Sequence, residues 1–415
     1  MIKMEIVIFE DEGYKNLLPL VYFRPVWELR CGALSLYEKI KLHFPGYKLQ
    51  FLCRKYLADN CLNHQGIIHF DNLNEILFLN GRLLIRHADK ETIMGLDTNQ
   101  ALVCDEQIVA FKISGKSLKD YINDGILLSE NVLNDLSFSE HSAKLINYPW
   151  HLVEENGNEL YSDFTLMGLL GLKKGKIDPR VSLMNEDQIY VGQGARIMPG
   201  TVINAEDGPV LIDEGVKIMP NVFLEGPLFI GKNSVVKVGA KIYENTSIGP
   251  VCKVGGEIEN CIIQGYSNKQ HEGFLGHSYL GSWVNIGADT NNSDLKNNYG
   301  EITVFLNGYP VATGKQFLGL IMGDHSKTAI NTMFNTGTIV GVNCNVYGSG
   351  FPPKFIPSFS WGGSGGLREF QFEKAVEVAE RMMKRRNIDF TEKDFELFKA
   401  VKNLAEKIEN RVRVR

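Results

Sequence analysis

The residues best suited to chemistry are concentrated between Ser267 and Tyr299, where the chain reads SNKQHEGFLGHSYLGSWVNIGADTNNSDLKNNY. This stretch contains two histidines, His271 and His277, among many asparagines. An imidazole exchanges protons near neutral pH and also binds metal ions, whereas asparagine most often closes turns. The stretch is therefore a candidate proton-transfer or metal site, and the alternative is a hydrogen-bonded turn histidine among turn-forming asparagines.

The scaffold that must position this cluster is indicated by a six-residue period. Aliphatic residues occupy every sixth position at Ile212, Ile218, Leu224, Ile230, Val236, Ile242, Ile248 and Val254. This period is typical of a parallel β-helix, in which three units close one triangular coil and stacked coils pair as strands about 4.8 Å apart. The polar cluster breaks the period, and local departures from a regular scaffold are where function is most expected.

The hexads begin near Val191, continue to about Val254, resume with Leu280 and Ile286, and return at Met322. Between Asp289 and Leu320 they are interrupted by a long insertion. We expect this insertion to leave the prism as a loop. Loops whose ends are fixed by a rigid scaffold frequently contact ligands.

The part of the chain before the hexads alternates between strand-like and helix-like segments. Strands are predicted at Glu5–Phe9, Lys48–Cys53, Gly81–Arg86 and Ala101–Val103, with a helix at Ala33–Phe44. This alternation predicts an α/β domain with a mostly parallel sheet and crossover helices.

Two amphipathic helices are predicted after the hexads, at Leu367–Asn387 and Thr391–Glu409. Thr391 is the predicted N-cap of the second, with Asp394 three residues further on in a variant of the capping box. The predicted domains are 1–175, an α/β domain; 176–365, a β-helix; and 366–415, a helical segment.

Composition narrows the class of protein. The chain has 415 residues, a net charge of -5 and no long run of Lys or Arg, which argues against a nucleic-acid surface. It has no leader-like segment and no stretch of about 18 apolar residues, so we predict neither export nor a membrane span. The 7 cysteines are scattered and odd in number, which is typical of reduced thiols in a cytoplasmic protein. They are Cys31, Cys53, Cys61, Cys104, Cys252, Cys261 and Cys344.

The motifs GHSYLG, VNIGADT and NNYG resemble the acetyltransferase half of a known enzyme family. This is the bifunctional UDP-N-acetylglucosamine pyrophosphorylase / glucosamine-1-phosphate N-acetyltransferase family, where the corresponding motifs contain GH, YLG, VNIGAGT and NYDG. The whole chain looks like the alternative bacterial form of that enzyme. The resemblance implies a left-handed parallel β-helix, a homotrimer with acyl sites between subunits, and acetyl-CoA as cofactor.

The resemblance also implies roles for individual residues. His277 matches the catalytic histidine, the general base that takes a proton from the sugar amine as the amine attacks the acetyl thioester. Positions that match contacts to the sugar phosphate are Lys269, Tyr279 and Asn285. Positions that match contacts to acetyl-CoA are Ala288, Asn298 and Tyr299.

A metal site is an alternative for the histidines. Trimeric β-helices include the gamma-class carbonic anhydrases, which share zinc between histidines of neighbouring subunits, and the candidates here are His271, His277 and His325. The six-residue spacing of His271 and His277 places them on successive sides of a coil, so a partner subunit would have to complete the site. A trimeric assembly module without enzymatic activity is a further alternative.

The segment PLVYFRPVWELRCGALSLYEKI, from Pro19 to Ile40, resembles the signature of sugar-1-phosphate nucleotidyltransferases. The residues in register with that signature are Pro19, Leu20, Pro25, Gly32, Leu34 and Glu38. The resemblance implies a Rossmann-like nucleotidyltransferase domain that binds a sugar phosphate, a nucleoside triphosphate and Mg²⁺.

The same domain departs from its family at three places. The family's Gly-rich loop is replaced by Phe9–Gly13, whose three carboxylates would repel a triphosphate unless a metal intervenes. The lysine of the Pro-Lys pair is Val26, and the family's Asn-Gly-Asp ends here in Arg82. Candidate replacements are Arg24, Arg30 and Arg82 as phosphate-binding cations and Glu10 and Asp11 as metal ligands.

The sequence thus predicts an enzyme that makes a nucleotide-activated amino sugar resembling UDP-N-acetylglucosamine. It would transfer an acetyl group to a hexosamine 1-phosphate and then a nucleotidyl group to the product. The alternative is an acetyltransferase with a degenerate, non-catalytic first domain.

Overall fold

The computed structural model describes residues 5–60, 75–114 and 118–409. The chain forms two compact units. The first comprises Met1–Leu17, Phe23–Leu29 and Leu34–Tyr148, and the second comprises Leu18–Tyr22, Arg30–Ala33 and Pro149–Arg415. Cys61 lies outside the described residues, and the other six cysteines form no disulfide within the described part of the chain.

The elements up to residue 140 are short strands and helices. The strands are β1 (Glu5–Phe9), β2 (Arg30–Cys31), β3 (Leu34–Ser35), β4 (Leu49–Leu52), β5 (Ile76–Asn80), β6 (Gln100–Cys104), β7 (Gln107–Ile113), β8 (Ile122–Asn123), β9 (Ile126–Leu127) and β10 (Ser137–Glu140). The helices are α1 (Leu36–His43), α2 (Lys55–Asn60), α3 (His87–Met94) and α4 (Ser129–Asp135).

The first unit is built on a six-stranded sheet with the order β10-β6-β7-β5-β1-β4. β1 pairs in parallel with β4 and β5, and β10 with β6, whereas β7 is antiparallel to both of its neighbours. The predicted α/β class is confirmed, with β7 as the antiparallel exception.

The strand predicted at Gly81–Arg86 is wrong. The strand is β5, which ends at Asn80, and Gly81 begins a turn. All five residues of β5 are buried because it lies between β1 and β7 and is covered on both faces. A short, continuous apolar run of this kind has no alternation that would mark its limits.

α1 begins at a complete capping box. The Ser35 hydroxyl accepts a hydrogen bond from the Glu38 backbone N–H, and the Glu38 carboxylate accepts one from the Ser35 N–H at 2.7 Å. Glu38 is in register with the nucleotidyltransferase signature, and in this chain its carboxylate caps the start of the helix.

The second unit contains the helices α5 (Pro149–Met167), α6 (Phe372–Lys384) and α7 (Glu392–Ile408). Its strands up to the polar cluster are β11 (Lys176–Ile177), β12 (Ser182–Met184), β13 (Ile189–Val191), β14 (Arg196–Ile197), β15 (Val202–Asn204), β16 (Val210–Ile212), β17 (Lys217–Ile218), β18 (Phe223–Glu225), β19 (Leu228–Ile230), β20 (Val235–Val236), β21 (Lys241–Ile242), β22 (Thr246–Ile248), β23 (Lys253–Val254), β24 (Glu257–Glu259), β25 (Ile262–Gly265), β26 (Asn268–Lys269), β27 (Phe274–Gly276) and β28 (Tyr279–Ser282). The later strands are β29 (Asn291–Asn292), β30 (Thr303–Leu306), β31 (Tyr309–Ala312), β32 (Leu320–Met322), β33 (Lys327–Thr328), β34 (Met333–Phe334), β35 (Thr338–Val340), β36 (Asn345–Val346), β37 (Phe355–Ile356), β38 (Ser360–Gly363) and β39 (Gly366–Glu369).

These strands form the three faces of a parallel β-helix. The first face has the order β11-β14-β17-β20-β23-β26, the second β12-β15-β18-β21-β24-β27, and the third β13-β16-β19-β22-β25-β28-β32-β35-β37. Residues of the predicted hexads pair directly with one another, as Ile218 does with Val236 and Val236 with Val254. The hexad prediction is confirmed, because these aliphatic side chains form the central column of the core.

The third face is covered by α5. Tyr190 and Phe229, which alternate with inward-facing residues on this face, pack with Leu160 and Phe164 of α5. α5 therefore belongs to the second unit, whose longest segment begins at Pro149, whereas the sequence placed the end of the first domain at residue 175. The difference follows from the apolar side of α5, which is buried against the coils.

The insertion after Asp289 returns to the β-helix. Its strands β30 and β31 form an antiparallel hairpin, and β29 pairs in parallel with β34. Ile302 and Val304 are fully buried. The expectation of a loop that leaves the prism is wrong, since burial of these apolar side chains holds the insertion against the coils.

The two predicted C-terminal helices are confirmed, and the second begins after Thr391 as predicted. The Thr391 hydroxyl accepts from the Asp394 N–H, and the Asp394 carboxylate accepts from the Thr391 N–H at 2.7 Å. The first helix starts later than predicted because residues 366–369 form β39, which pairs antiparallel with β38. In the described part of the chain, no helix has the length and apolarity needed to cross a membrane.

The central column predicts a specific stability effect. Ile242 is fully buried between Leu224 and Ile258 in successive coils, whereas Ile330 is 67% exposed. Replacing Ile242 with Ala should lower the free energy of unfolding by about 2–5 kcal/mol, because the cavity cannot collapse between stacked strands. Ile330→Ala should change it by no more than about 0.5 kcal/mol. Urea denaturation of both variants tests this, and equal midpoints would contradict the column as the main source of stability.

Candidate functional site

His277 lies at a corner of the β-helix, between β27 on the second face and β28 on the third. Its φ is 44°, in the left-handed region. Asn245 and Asn260 hold the corresponding corners of earlier coils with φ values of 53° and 48°. Asparagine and histidine are among the non-glycine residues most often found there. The corner therefore presents an imidazole where preceding coils present an amide.

An aspartate of the insertion fixes the imidazole. The Asp294 Oδ2 atom lies 2.8 Å from the His277 Nδ1 atom. With Nδ1–H donating to this carboxylate, the ring is oriented and Nε2 is the nitrogen that can accept a proton. Asp294 also stabilises the imidazolium that forms when Nε2 is protonated. Histidine and aspartate together have the arrangement of a general base with its orienting group.

The insertion also contacts the face of the ring. Phe317 stacks on His277 with ring centroids 5.0 Å apart. The Gly319 N–H donates to the His277 carbonyl at 2.9 Å, and the Leu318 N–H donates to the Asp294 carbonyl at 2.9 Å. The segment from 317 to 319 is thus bonded to both members of the pair, which restricts their motion.

A glycine before the histidine makes room for the carboxylate. A Cβ atom on Gly276 would lie 2.5 Å from the Asp294 Oδ2 atom. The backbone of Gly276 is bound by Asn292, whose amide accepts from its N–H and donates to its carbonyl, each at 3.0 Å. Asn292 therefore ties the first residues of the insertion to the strand that carries His277.

Glu259 completes a cluster of three titratable groups. One ligand-type atom each of Glu259, His277 and Asp294 lies within 4.8 Å of the others. Burial, and then the negative charge of Asp294, raise the pKa of Glu259, while His277 opposes the shift. These three side chains could together ligate a metal ion. However, the His277 Nδ1 atom, which faces Asp294, is already engaged in the hydrogen bond with that carboxylate. The geometry favours proton transfer over metal binding.

His277 of this cluster borders a cavity of about 410 Å³. Residues of α5, of the corner column and of the insertion contribute its walls, and all belong to the second unit. The lining residues are Trp150, Val153, Glu154, Gly157, Asn158, Tyr161, Asn245, Asn260, His277, Lys315, Gln316, Phe317 and Leu318. The cavity has room for a sugar-sized acceptor beside the imidazole.

Of the residues predicted to bind the sugar phosphate, Tyr279 and Asn285 lie away from this cavity. Tyr279 is fully buried, and its hydroxyl donates to Gln264 at 2.6 Å and accepts from the Arg30 N–H at 3.0 Å. Asn285 accepts from the Asn268 side chain at 3.2 Å next to the first face. Both contacts hold parts of the second unit together.

Lys269 is inside the coil. It pairs with Val254 and takes the inward position that aliphatic residues take in the coils before. Its side chain is 2% exposed, and its ammonium group donates to the His271 carbonyl at 2.7 Å. Burial lowers the pKa of Lys269 to about 8. In this position the ammonium group does not border the cavity.

The predicted acetyl-CoA contacts lie near the surface of the insertion and the coil beside it. Tyr299 is 68% exposed, and its carbonyl accepts from the Gln316 side chain at 2.9 Å, which links it to the cavity wall. The exposed Asn298 side chain accepts from the Gly300 N–H at 3.1 Å. The Ala288 carbonyl accepts from Asn331 at 2.8 Å. Their role in binding acetyl-CoA stays a prediction.

The three histidines of the zinc alternative do not meet within one chain. His271 precedes β27 on the second face, His277 precedes β28 on the third, and His325 precedes β33, which pairs in the continuation of the first. They therefore lie at three different corners. Among the described residues, the group with metal-ligand spacing contains His277 but neither of the other two.

In the first unit, Glu10 is paired with an arginine. Its carboxylate accepts from the Arg54 Nε and Nη2 atoms, both at 2.9 Å, and from the Val26 N–H at 2.9 Å. Glu10 and Arg54 are almost completely buried. Burial opposes the charge of Arg54, but Glu10 outweighs it and raises the pKa of the guanidinium.

Asp11 forms a second buried pair. It accepts from the Arg82 Nε atom at 2.9 Å and the Arg82 Nη2 atom at 2.7 Å, and from the Asn80 amide at 2.8 Å. Arg82 also donates to Gln107 and to Asn147. The guanidinium of Arg82 is thus committed to groups of its own unit.

These contacts bear on the predicted nucleotide site. Both carboxylates predicted to hold Mg²⁺ are saturated by arginines, so Glu10 and Asp11 do not fit a magnesium ion in this arrangement. Arg24 is buried in the first unit, whereas Arg30 belongs to the second, where it packs over Phe229. Arg24, Arg30 and Arg82 as phosphate ligands stay predictions.

The most informative residues of the cavity were not singled out from the sequence. Asp294 lies within the polar cluster but is separated from His277 by seventeen positions. Lys315 and Phe317 lie in the insertion, and the α5 residues lie more than a hundred positions earlier. Local spacing carries no signal for such contacts, since they arise from the way the insertion and α5 pack on the coils.

Comparisons with known proteins agree with the two-part organisation. A family model described as "Sugar nucleotidyl transferase" matches residues 6–169. A bifunctional sugar-1-phosphate nucleotidylyltransferase/acetyltransferase of Sulfurisphaera tokodaii is 29% identical over 226 residues, which cover 51% of this chain and 49% of that protein. The "Bifunctional protein GlmU" of Methanococcus maripaludis (strain C5) is 28% identical over 318 residues, 70% of this chain and 71% of that protein.

Coverage of the relatives is uneven. The chain spans about half the length of several curated relatives that it matches. A crystal structure of a UDP-N-acetylglucosamine acyltransferase aligns with 52% of this chain and 77% of its own length, at 13% identity and a TM-score of 0.31.

The position of Lys269 predicts an unusual effect on stability. Its pKa in the folded protein, about 8, lies below the ordinary lysine value of 10.5, so the unfolded chain binds more protons between these values. The free energy of unfolding therefore rises between pH 8 and pH 10.5. At pH 7 Lys269 is charged in the folded protein, so the full cost of burying its charge lowers the stability. Lys269→Met should raise the free energy of unfolding at pH 7 on the order of 1 kcal/mol and reduce that rise.

The matched control is Lys217→Met, because Lys217 is exposed on the first face. Urea denaturation at pH 7 and at pH 10 measures both variants. A destabilised Lys269→Met protein would contradict the predicted cost of the buried charge, whereas a selectively raised KM for a sugar phosphate would support the phosphate contact implied by the resemblance.

Proposed function

We propose that this chain, whose residues 6–169 match the family model described as "Sugar nucleotidyl transferase", is a bifunctional enzyme that produces a nucleotide-activated N-acetyl amino sugar. Its two activities would be acetyl transfer to a hexosamine 1-phosphate and nucleotidyl transfer to the product. The observation that carries the first activity is the His277–Asp294 pair, whose imidazole lines a cavity of the second unit. The second rests on the match of residues 6–169 to that family model.

In the acetyl-transfer step, the amine of the acceptor attacks the carbonyl carbon of the acetyl thioester. The His277 Nε2 atom takes the proton that the nitrogen loses as the C–N bond forms, and Asp294 stabilises the resulting imidazolium. When the C–S bond breaks, the imidazolium returns the proton to the departing thiolate. Phe317 and the backbone of Gly319 hold the ring in place during these transfers.

Nucleotidyl transfer is assigned to the first unit. The family requires a sugar phosphate and a nucleoside triphosphate to be aligned and their charge neutralised. Mg²⁺ would supply part of that neutralisation in the family, but Glu10 and Asp11 do not fit it in this arrangement.

The buried ion pairs favour a second candidate function. Arg54 and Arg82 neutralise the two carboxylates without an ion, which is what a domain that binds without catalysing would tolerate. An acetyltransferase with a non-catalytic first unit is therefore the alternative. The proposal further includes acetyl-CoA as donor, a left-handed homotrimeric β-helix and a cytoplasmic site of action, as the family resemblance implies.

Replacement of His277 tests the acetyl-transfer proposal. With acetyl-CoA and glucosamine 1-phosphate as substrates, His277→Ala should lower the rate of thiol release at least about 100-fold, because the general base is lost. Asp294→Asn should lower it at least about tenfold, because the ring loses the carboxylate that orients it and stabilises the imidazolium.

Asp187→Asn is the matched control, because Asp187 is exposed in the first coils. It should behave as the original protein does. Treatment with EDTA should leave thiol release unchanged, and inhibition by EDTA would favour a metal held by Glu259, His277 and Asp294. Unchanged thiol release in His277→Ala would remove the base assignment.

A separate measurement tests the first unit. With N-acetylglucosamine 1-phosphate, UTP and Mg²⁺, the protein should release pyrophosphate, and His277→Ala should release it at the same rate because His277 lies in the second unit. Absence of pyrophosphate with UTP and with the other nucleoside triphosphates, in a protein that still acetylates, would establish the acetyltransferase alternative.

A further inference from the structure

We propose that α5 is a wall of the acceptor pocket and that the ion pair between Glu154 and Lys315 makes the pocket selective for an anionic acceptor. The inference deepens the proposed acetyl transfer and rests on it. Lys315 would bind the phosphate group of the acceptor. When no acceptor is present, the lysine would instead form an ion pair with Glu154.

α5 is fixed closely to the corner column that leads to His277. The Asn156 amide donates to the Asn245 carbonyl at 2.7 Å and accepts from the Ser247 hydroxyl at 2.9 Å. A Cβ atom on Gly157 would lie 2.1 Å from the Asn245 side-chain oxygen. Contacts this close leave α5 little freedom to move away from the corner.

The side of α5 next to the corner faces the cavity. Trp150, Glu154, Asn158 and Tyr161 follow one another at intervals of three or four residues and all line it. Residues at this spacing share one side of a helix. α5 is covered by the nucleotidyl transferase family model, yet in this chain it serves the pocket of the β-helix.

Lys315 reaches the cavity from the opposite wall. Its backbone is held by Ile302, whose N–H donates to the Lys315 carbonyl at 2.8 Å, and by the Thr313 hydroxyl, which accepts from the Lys315 N–H at 3.1 Å. The lysine is two residues from Phe317, which stacks on His277. Its position relative to the imidazole is therefore set by a short, hydrogen-bonded segment.

The charges of the pocket explain the selectivity. Among the described residues that line the cavity, Lys315 is the one with a positive charge, and Glu154 forms an ion pair with it. The two side chains are 36% and 44% exposed, and pairs with this exposure contribute little net stability. A phosphate can displace Glu154, because it offers more charge and more acceptor oxygens to the lysine.

Glu259 and Asp294 add negative charge beside His277. An amino sugar without a phosphate has no anionic group for Lys315 to bind, whereas a sugar phosphate would be anchored at Lys315 with its amine free to approach the imidazole. Because the buried Lys269 does not border the cavity, Lys315 is the lysine placed to do this.

The experiment compares Lys315→Met, Lys315→Arg and Glu154→Gln. Thiol release from acetyl-CoA is measured with glucosamine 1-phosphate and with glucosamine. Lys315→Met should raise KM for glucosamine 1-phosphate by about tenfold or more and leave kcat/KM for glucosamine unchanged, because one charge-assisted hydrogen bond is lost. Lys315→Arg should retain most of the affinity. Glu154→Gln should lower KM for glucosamine 1-phosphate, since the competing carboxylate is removed.

Lys232→Met is the matched control, because Lys232 forms an exposed pair with Glu214 at 2.9 Å elsewhere on the coils. It should match the original protein with both acceptors. Equal KM values in Lys315→Met and the original protein would overturn the inference, as would a loss of the same size for glucosamine.

Calorimetric titration of glucosamine 1-phosphate separates this inference from the proposed function. Binding that weakens about tenfold in Lys315→Met, in a protein that releases no thiol with any acceptor, would support the anion site and reject acetyl transfer. Acetyl transfer that continues while the Lys315→Met protein binds glucosamine 1-phosphate as tightly as the original would reject the anion site alone. Absence of binding by the original protein would reject it as well.

Discussion

Parallel register between successive coils is the constraint on which the rest of the second unit depends. Each inward aliphatic residue lies on the one below, so a residue at a given point of one coil has a fixed neighbour in the next. The corners inherit this order, which places Asn245, Asn260 and His277 in a column. A single imidazole at the end of a column of amides is thus an outcome of backbone pairing rather than of local sequence. It gives the site a rigid base on which less regular elements can be arranged.

Two such elements complete the cavity. The insertion supplies Asp294, Lys315 and Phe317, and α5 supplies the opposite wall. Each is held by its own apolar contacts, α5 through Leu160 and Phe164 and the insertion through its hairpin. The coils hold the imidazole in a fixed position, and the two added elements form the walls of a cavity that the regular coils alone would lack.

The ion pairs of the two units differ in their burial. In the first, Glu10 and Asp11 are fully matched by arginines, and little charge is left to interact with a ligand. In the second, the Glu154–Lys315 pair is partly exposed and can exchange partners. Buried pairs of the first kind resist removal of either partner, which suits a structural role, whereas exposed pairs of the second kind are easily rearranged by an anionic ligand.

The sequence alone determined the β-helix, the α/β unit before it, the capped final helix and the identity of the candidate histidine. Each of these features is indicated by local residue spacing or by a contiguous motif. It did not determine the limits of β5, whose uniform burial removes any alternation, nor the return of the insertion to the coils. It also placed Lys269 and Tyr279 among ligands, although their side chains are buried in contacts within the unit. Only the tertiary structure brought Asp294, Lys315 and Glu154 to His277, since those residues are distant in the chain and meet through packing that no local pattern encodes.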